Sequence, residues 1–173
     1  PHRLNMPYHV PLYLGYECDE LFLNQRDWTQ YETILSGEIG SSSDLTDNCY
    51  TVVYIGKNSY IDGCTVSGGY NDNGMAGGGI LSENAAWGMK NCIIKENYAD
   101  TGGGGINIFV MSDPLAVDIS ECVFVDNESS GNGGAVRAQN CDLSLTNCLF
   151  INNSSSVTVA GSGGGALLYS GSN

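Results

Sequence analysis

Four short stretches decide the reading of this chain: Ile61-Asp62-Gly63-Cys64-Thr65-Val66, Met89-Lys90-Asn91-Cys92-Ile93-Ile94, Ile119-Ser120-Glu121-Cys122-Val123-Phe124 and Leu145-Thr146-Asn147-Cys148-Leu149-Phe150. The cysteines fall 28, 30 and 26 residues apart. An apolar residue stands three places before each cysteine, and another (Val66, Ile94, Phe124, Phe150) two places after it. Five places after it come Asn97, Asn127 and Asn153, with Gly69 in the first copy. A glycine motif then follows each copy: Gly77-Gly78-Gly79-Ile80, Gly103-Gly104-Gly105-Ile106, Gly133-Gly134-Ala135-Val136 and Gly163-Gly164-Gly165-Ala166.

A unit this short cannot bury its own apolar face, whereas stacked copies share one core. The cysteine and the residue two places on lie on one face of a strand, while the residue three places before has the opposite parity, so a bend is expected between them. Paired glycines beside a small apolar residue suit a turn where backbones approach closely. The reading is all-β: a right-handed parallel β-helix of about five coils. Residues 1–48 form a lead-in, cap-like segment and residues 49–173 the repeat coils, within a single domain. Thr51–Gly56 is expected to supply an earlier strand. Cys64, Cys92, Cys122 and Cys148 should form an interior ladder with Val66, Ile94, Phe124 and Phe150 beside it, and Asn97, Asn127 and Asn153 an amide ladder. No LxxLxL series supports leucine-rich repeats, and a propeller needs a longer unit.

These motifs resemble the right-handed β-helix repeats of bacterial surface proteins of the polymorphic outer membrane protein type, in which a Gly-Gly-Ala/Ile motif alternates with Phe-x-x-Asn. Phe124-Val125-Asp126-Asn127 and Phe150-Ile151-Asn152-Asn153 match the second motif, and Ile94-Lys95-Glu96-Asn97 matches it with Ile for Phe. Leu12–Glu17, Gln25-Arg26-Asp27-Trp28 and Thr33–Gly40 are similar to the segment that leads into such coils, with Leu14 where that pattern has Gly. The resemblance spans roughly residues 10 to 173. It implies secretion and display at a cell surface, and it names no ligand.

The formal charge is −13, from 19 acids against 6 bases. That argues against nucleic-acid partners, which need clustered Lys and Arg, and no apolar run is long enough to insert in a membrane. The start, Pro1-His2-Arg3, carries no leader pattern, so the chain is expected to be processed or part of something longer. The end follows a glycine motif, and an uncapped coil invites pairing, so either a longer parent or end-to-end self-association into a fibre is expected.

Candidate sites are few. Cys18, Cys49 and Cys141 lie off the ladder, and a Cys18–Cys49 disulfide would tie down the lead-in. Asn127-Glu128-Ser129, Asn152-Asn153-Ser154 and Asn153-Ser154-Ser155 are glycosylation sequons; an inward Asn127 could carry no glycan, and Asn152, next to the ladder position, is the better acceptor. Asn71-Asp72-Asn73-Gly74 lacks the carboxylates of an EF-hand at its first and last positions, leaving only a looser surface Ca²⁺ site. No other cofactor is implied. The carboxylates Asp118, Glu121, Asp126 and Glu128 do not repeat in a way that builds a cleft, and Arg137 is the only base after Lys95. An enzyme, such as a polysaccharide lyase or glycosidase, is therefore disfavoured. His2 and His9 read as incidental, and Arg26-Asp27-Trp28 as packing of the lead-in on the first coil. The expectation is an extracellular structural protein, with a carbohydrate-binding adhesin module as the alternative and other surface proteins or glycans as partners.

Overall fold

The structure, a computed structural model, describes residues 3–157 and 163–171; His2 and the closing Ser172-Asn173 lie outside them. The first coil holds β1 (Leu4–Asn5), β2 (Pro11–Tyr13) and β3 (Ile34–Ser36). The second holds β4 (Val53–Ile55), β5 (Ser59–Asp62), β6 (Thr65–Ser67) and β7 (Tyr70–Asn71). The third holds β8 (Ile80–Glu83), β9 (Trp87–Lys90), β10 (Ile93–Lys95) and β11 (Tyr98–Ala99), and the fourth β12 (Ile106–Phe109), β13 (Ala116–Ser120), β14 (Val123–Val125) and β15 (Glu128–Ser129). The fifth holds β16 (Val136–Gln139), β17 (Asp142–Thr146), β18 (Leu149–Ile151) and β19 (Ser154–Ser155), after which β20 (Leu167–Ser170) opens a further turn.

Every strand pairs in parallel with its counterpart one coil away, giving four sheets along the stack: β1-β4-β8-β12-β16-β20, β2-β5-β9-β13-β17, β3-β6-β10-β14-β18 and β7-β11-β15-β19. We call them the first to fourth sheets, in the order the chain meets them. The register is the one the cysteine alignment requires, with Val66, Ile94, Phe124 and Phe150 directly over one another.

The corners explain the composition. The residue before each cysteine, Gly63, Asn91, Glu121 and Asn147, has φ between 52° and 84°. This left-handed residue is the bend that reconciles the two parities, because it lets Ile61, Met89 and Ile119 point into the same core as the cysteines. A second left-handed column, Gly68, Glu96, Asp126 and Asn152, precedes each asparagine-ladder position, and Asn58, Asn84 and Asn140 turn the chain between the first and second sheets. Gly and Asn tolerate this conformation best, hence their abundance. The glycine motif turns the remaining corner. A Cβ on Gly104 would stand 2.1 Å from the Glu128 carbonyl oxygen, and one on Gly134 2.1 Å from that of Ser154, so backbone packs on backbone there.

The core is one continuous column of Ile, Val, Met, Cys and Phe side chains running through the coils. Phe124 and Phe150 stack with centroids 4.7 Å apart and planes within 6°.

The described part of the lead-in, residues 3–48, is more than a cap. β1, β2 and β3 stack in register on β4, β5 and β6, so this segment is itself a coil, interrupted by two long insertions. Arg26, in the first insertion, clamps it. Its guanidinium donates to the carbonyl oxygens of Leu14 and Asp62 at 2.9 Å and pairs with the Asp62 carboxylate at 2.5 Å, both side chains 9% exposed. Asn91 donates to the other Asp62 oxygen at 2.9 Å, tying the clamp to the third coil.

Candidate functional site

The asparagine positions form a ladder through the core edge. The Gly69 N–H donates to Asn97 Oδ1 at 3.0 Å. Asn97 Nδ2 donates to Asn127 Oδ1 at 3.0 Å, and Asn127 Nδ2 to Asn153 Oδ1 at 2.9 Å. Each amide also reaches down to a carbonyl of the coil before: Asn97 to Val66, Asn127 to Ile94 and Asn153 to Phe124, at 2.8–3.1 Å. The side chain thus supplies the hydrogen bonds that a tight corner leaves unmade.

The cysteines form the neighbouring column. Cys64, Cys92 and Cys122 are buried and Cys148 is half-buried. Cys64 and Cys92 sulfurs lie 3.9 Å apart, and Cys92 and Cys122 each donate to the carbonyl oxygen two residues earlier, at 3.0 and 3.1 Å. The adjacent Cys92 thiol and burial push the Cys64 and Cys122 thiols well above the ordinary range, which makes them packing groups rather than nucleophiles. The expected Cys18–Cys49 disulfide is not formed: Cys18 sits exposed in the first insertion, while Cys49 is buried near the end of the second. Cys141 is buried in the core, where desolvation raises its thiol to about 11. Of the three sequon asparagines, Asn127 is fully buried in the ladder, Asn153 is half-buried with its amide bonded to the Phe124 carbonyl and to Asn127, and Asn152 is exposed on a left-handed corner.

Chemistry that faces outward gathers on the fourth sheet. The position after each ladder asparagine points away from the core and stacks Tyr70, Tyr98, Glu128 and Ser154. The Tyr70 and Tyr98 rings lie 4.8 Å apart at 25°. The Tyr98 hydroxyl sits 2.8 Å from both the Asp100 carboxylate and the Ser130 hydroxyl. The Ser130 contact draws that phenol down, but burial and the Asp100 carboxylate outweigh it and leave it raised. With Leu45, Glu96, Asp126 and Glu128 the tyrosines line an open groove of about 600 Å³. Glu128 belongs to a strand and Asp126 to the left-handed corner before it, and both carboxylates line the groove. Asp118 is exposed on the second sheet, and Glu121 lies 3.4 Å from Lys90.

At Asn71–Gly74, the Asn71 side chain is buried and the Gly74 N–H donates to the Asp100 carboxylate at 3.0 Å. Among the described residues, no three His, Cys, Asp or Glu side chains converge as metal ligands. The tyrosine column was hidden in the sequence because its partners differ from coil to coil; the only signal was an aromatic six places after two of the cysteines.

The four parallel sheets and the ladders along their corners define a β-solenoid, and the chain belongs to the right-handed β-helix family: the family profile described as "Right handed beta helix region" matches residues 32–173. Among named proteins, a 66-residue stretch is 41% identical to "Probable outer membrane protein pmp20" of Chlamydia pneumoniae, covering 35% of this chain. The match spans only 4% of that protein's length. No solved structure matches the chain.

Proposed function

We propose that this chain is a scaffold segment of an extracellular, cell-surface protein, non-enzymatic, whose coils hold lateral faces out for contact. The observation that carries the reading is the direction of its repeated reactive side chains. Cys64, Cys92, Cys122, Asn97 and Asn127 all face inward and bind coil to coil. The similarity to a protein named as an outer membrane protein supports the location. Acidity keeps such a surface soluble and repels nucleic acid. Fibre building follows the same logic: each of the second to fifth coils offers its neighbour the same four strands and inward columns, so the contacts that stack coils within a chain also suit stacking between chains.

An epitope tag placed at the exposed Asn73-Gly74 turn, in the parent protein, tests the location. Labelling of intact cells supports it; labelling only after permeabilisation overturns it. Sedimentation over a wide concentration range, with negative-stain microscopy, tests the fibre, which a concentration-independent monomer would exclude.

The adhesin reading has its own support in the stacked tyrosines, because paired aromatic faces in an open groove suit the C–H faces of sugars. A glycan array run with and without Ca²⁺ checks it, with loss of any hit expected in a Tyr98→Ala variant. A blank array counts against it.

A further inference from the structure

Asn-Gly occurs twice in the chain, at Asn73-Gly74 and Asn132-Gly133. In this dipeptide the backbone closes readily on its own side chain, because the glycine nitrogen and the asparagine Cγ can join in a five-membered ring and no Cβ hinders the approach. The fold treats the two copies in opposite ways. Asn132 is half-buried between coils. Its Oδ1 accepts from the Gly163 N–H and its carbonyl oxygen from the Gly103 N–H, both at 2.9 Å, and a Cβ on Gly133 would stand 2.3 Å from the Val136 carbonyl oxygen. Side chain and peptide plane are both held there, away from ring closure. Asn73 and Gly74 instead form an exposed bend between β7 and β8, and a Cβ on Gly74 would meet nothing within 4 Å.

A carboxylate reaches that bend, and it falls on the atom that would react. The Gly74 N–H donates to Asp100 Oδ2 at 3.0 Å. The next coil aims this carboxylate: Asp100 Oδ1 accepts from the Tyr98 hydroxyl at 2.8 Å, and the Asp100 N–H donates to the Asn71 carbonyl oxygen at 2.9 Å. A backbone amide is a poor nucleophile until its proton is taken. A fixed carboxylate on that N–H is therefore what separates this bend from an ordinary exposed Asn-Gly.

We propose that Asn73 is a self-modification site, where the backbone nitrogen of Gly74 displaces the side-chain amide and Asp100 is the proton acceptor. Asp100 takes the Gly74 N–H proton, the nitrogen attacks Asn73 Cγ, and a cyclic imide forms as the Cγ–Nδ2 bond breaks. The leaving nitrogen takes the proton back from Asp100 and departs as ammonia. Water then opens the ring at either carbonyl and leaves aspartate or isoaspartate in place of the asparagine. In sum an ammonia is lost and a water gained, with no oxidant and no metal. The product sets a further carboxylate beside Asp72 and near Asp100, and the isoaspartate form adds a methylene to the backbone. Either changes the wall that Gly74, Met75 and Ala76 give to a groove of about 380 Å³ over Leu81 and Phe109. The reaction thus alters one lateral face and leaves the inward columns untouched.

The test is a time course of the intact chain at neutral pH, folded and in urea, read by peptide mapping with a fragmentation that separates aspartate from isoaspartate. In the folded chain Asn73 should convert about tenfold or more faster than Asn132. In urea the two asparagines, each followed by glycine, should convert at similar rates, and Asn73 no faster than when folded. Asp100→Asn keeps an oxygen acceptor in place but removes the base, so it should slow Asn73 by about tenfold or more in the folded chain and leave the rate in urea unchanged. If that variant fails to fold, the ratio of folded to urea rates at Asn73 in the parent decides. The proposal is overturned if Asn73 converts no faster than Asn132 in the folded chain, or if unfolding speeds Asn73. It is equally overturned if folded Asp100→Asn converts at the parent's rate or above, which would make the Gly74–Asp100 hydrogen bond a restraint instead of a proton path.

Discussion

Replacing Asn127 tests whether the amide ladder holds the coils together. Its Oδ1 accepts from the Asn97 backbone N–H at 3.3 Å and from Asn97 Nδ2 at 3.0 Å. Its Nδ2 donates to the Ile94 carbonyl at 2.8 Å and to Asn153 Oδ1 at 2.9 Å. In Asn127→Leu, Asn97 Nδ2 keeps the Val66 and Lys95 carbonyls, and Asn153 Oδ1 keeps the residue-127 backbone N–H. The Asn97 N–H and the Ile94 carbonyl lose their side-chain partner in a site closed to water. At about 1–3 kcal/mol for each buried group left unmatched, the cost is about 2–6 kcal/mol, a large share of the 5–15 kcal/mol that holds a typical domain. Asn153→Leu removes equivalent bonds from a half-buried site where water can replace them, so it should cost less than half as much. Urea titrations followed by far-UV circular dichroism, at a shared m-value, measure both. Equal costs at the two positions, or an Asn127→Leu variant within 0.5 kcal/mol (about the noise of a surface substitution) of the parent, would show that the ladder follows from the fold and does not secure it.

The acid variant at the same position adds a pH signature. In Asn127→Asp an ionised carboxylate would face the Ile94 carbonyl and Asn153 Oδ1, which are both acceptors, so its folded pKa should rise above the unfolded value of about 3.9. A raised carboxyl pKa means the folded state holds the proton more tightly. The variant is then closest to the parent in stability below about pH 4 and falls away as pH rises through the folded pKa. Melting temperatures of the two proteins that diverge on acidification would refute this.

Three other outcomes follow from the geometry. Gly104→Ala, which drives a methyl into the Glu128 carbonyl at 2.1 Å, should unfold the coil boundary, whereas Gly74→Ala, at φ 79° with open space around it, should cost only about 1–2 kcal/mol of backbone strain; thermal melts of the pair separate the two. Asp62→Ala leaves the Arg26 guanidinium buried without its anion and should cost about 3–5 kcal/mol, seen as early proteolysis within residues 14–33. A thiol-reactive dye on the native chain should label Cys18 rapidly and Cys64, Cys92 and Cys122 only after denaturant is added; prompt labelling of the ladder would contradict the packed column.

The repeated half of the structure was readable from the sequence because repetition converts spacing into register. Four cysteines at a near-constant interval place Val66 over Ile94 over Phe124, and the opposite parity of Ile61 and Val66 about Cys64 already demands a corner. The lead-in was harder. β1, β2 and β3 are two or three residues each, separated by insertions, and they acquire their strand character from pairing with β4, β5 and β6 rather than from any pattern of their own. The Arg26–Asp62 clamp joins residues 36 apart through an insertion of irregular backbone, which no local rule predicts. Cys18 and Cys49 were candidates for a pair because both lie off the cysteine ladder, but Cys18 is exposed on left-handed backbone in the first insertion whereas Cys49 is buried.

The same repetition separates what the molecule must keep from what it is free to vary. Each inward column is shared by successive coils, so a change at Phe124 or Asn127 is felt by the coils above and below, and the cysteine, asparagine and Val66–Phe150 columns stay nearly uniform in chemistry. Outward columns carry no such constraint. On the fourth sheet one reads Tyr70, Tyr98, Glu128, Ser154, and on the first Tyr54, Leu81, Asn107, Arg137, Leu168. Where the backbone lattice repeats and the side chains on it do not, stacking cannot be the reason for their identity. In a solenoid that makes irregularity of an outward column a physical pointer to contact with something outside the chain, and the two grooves of this molecule lie on such columns.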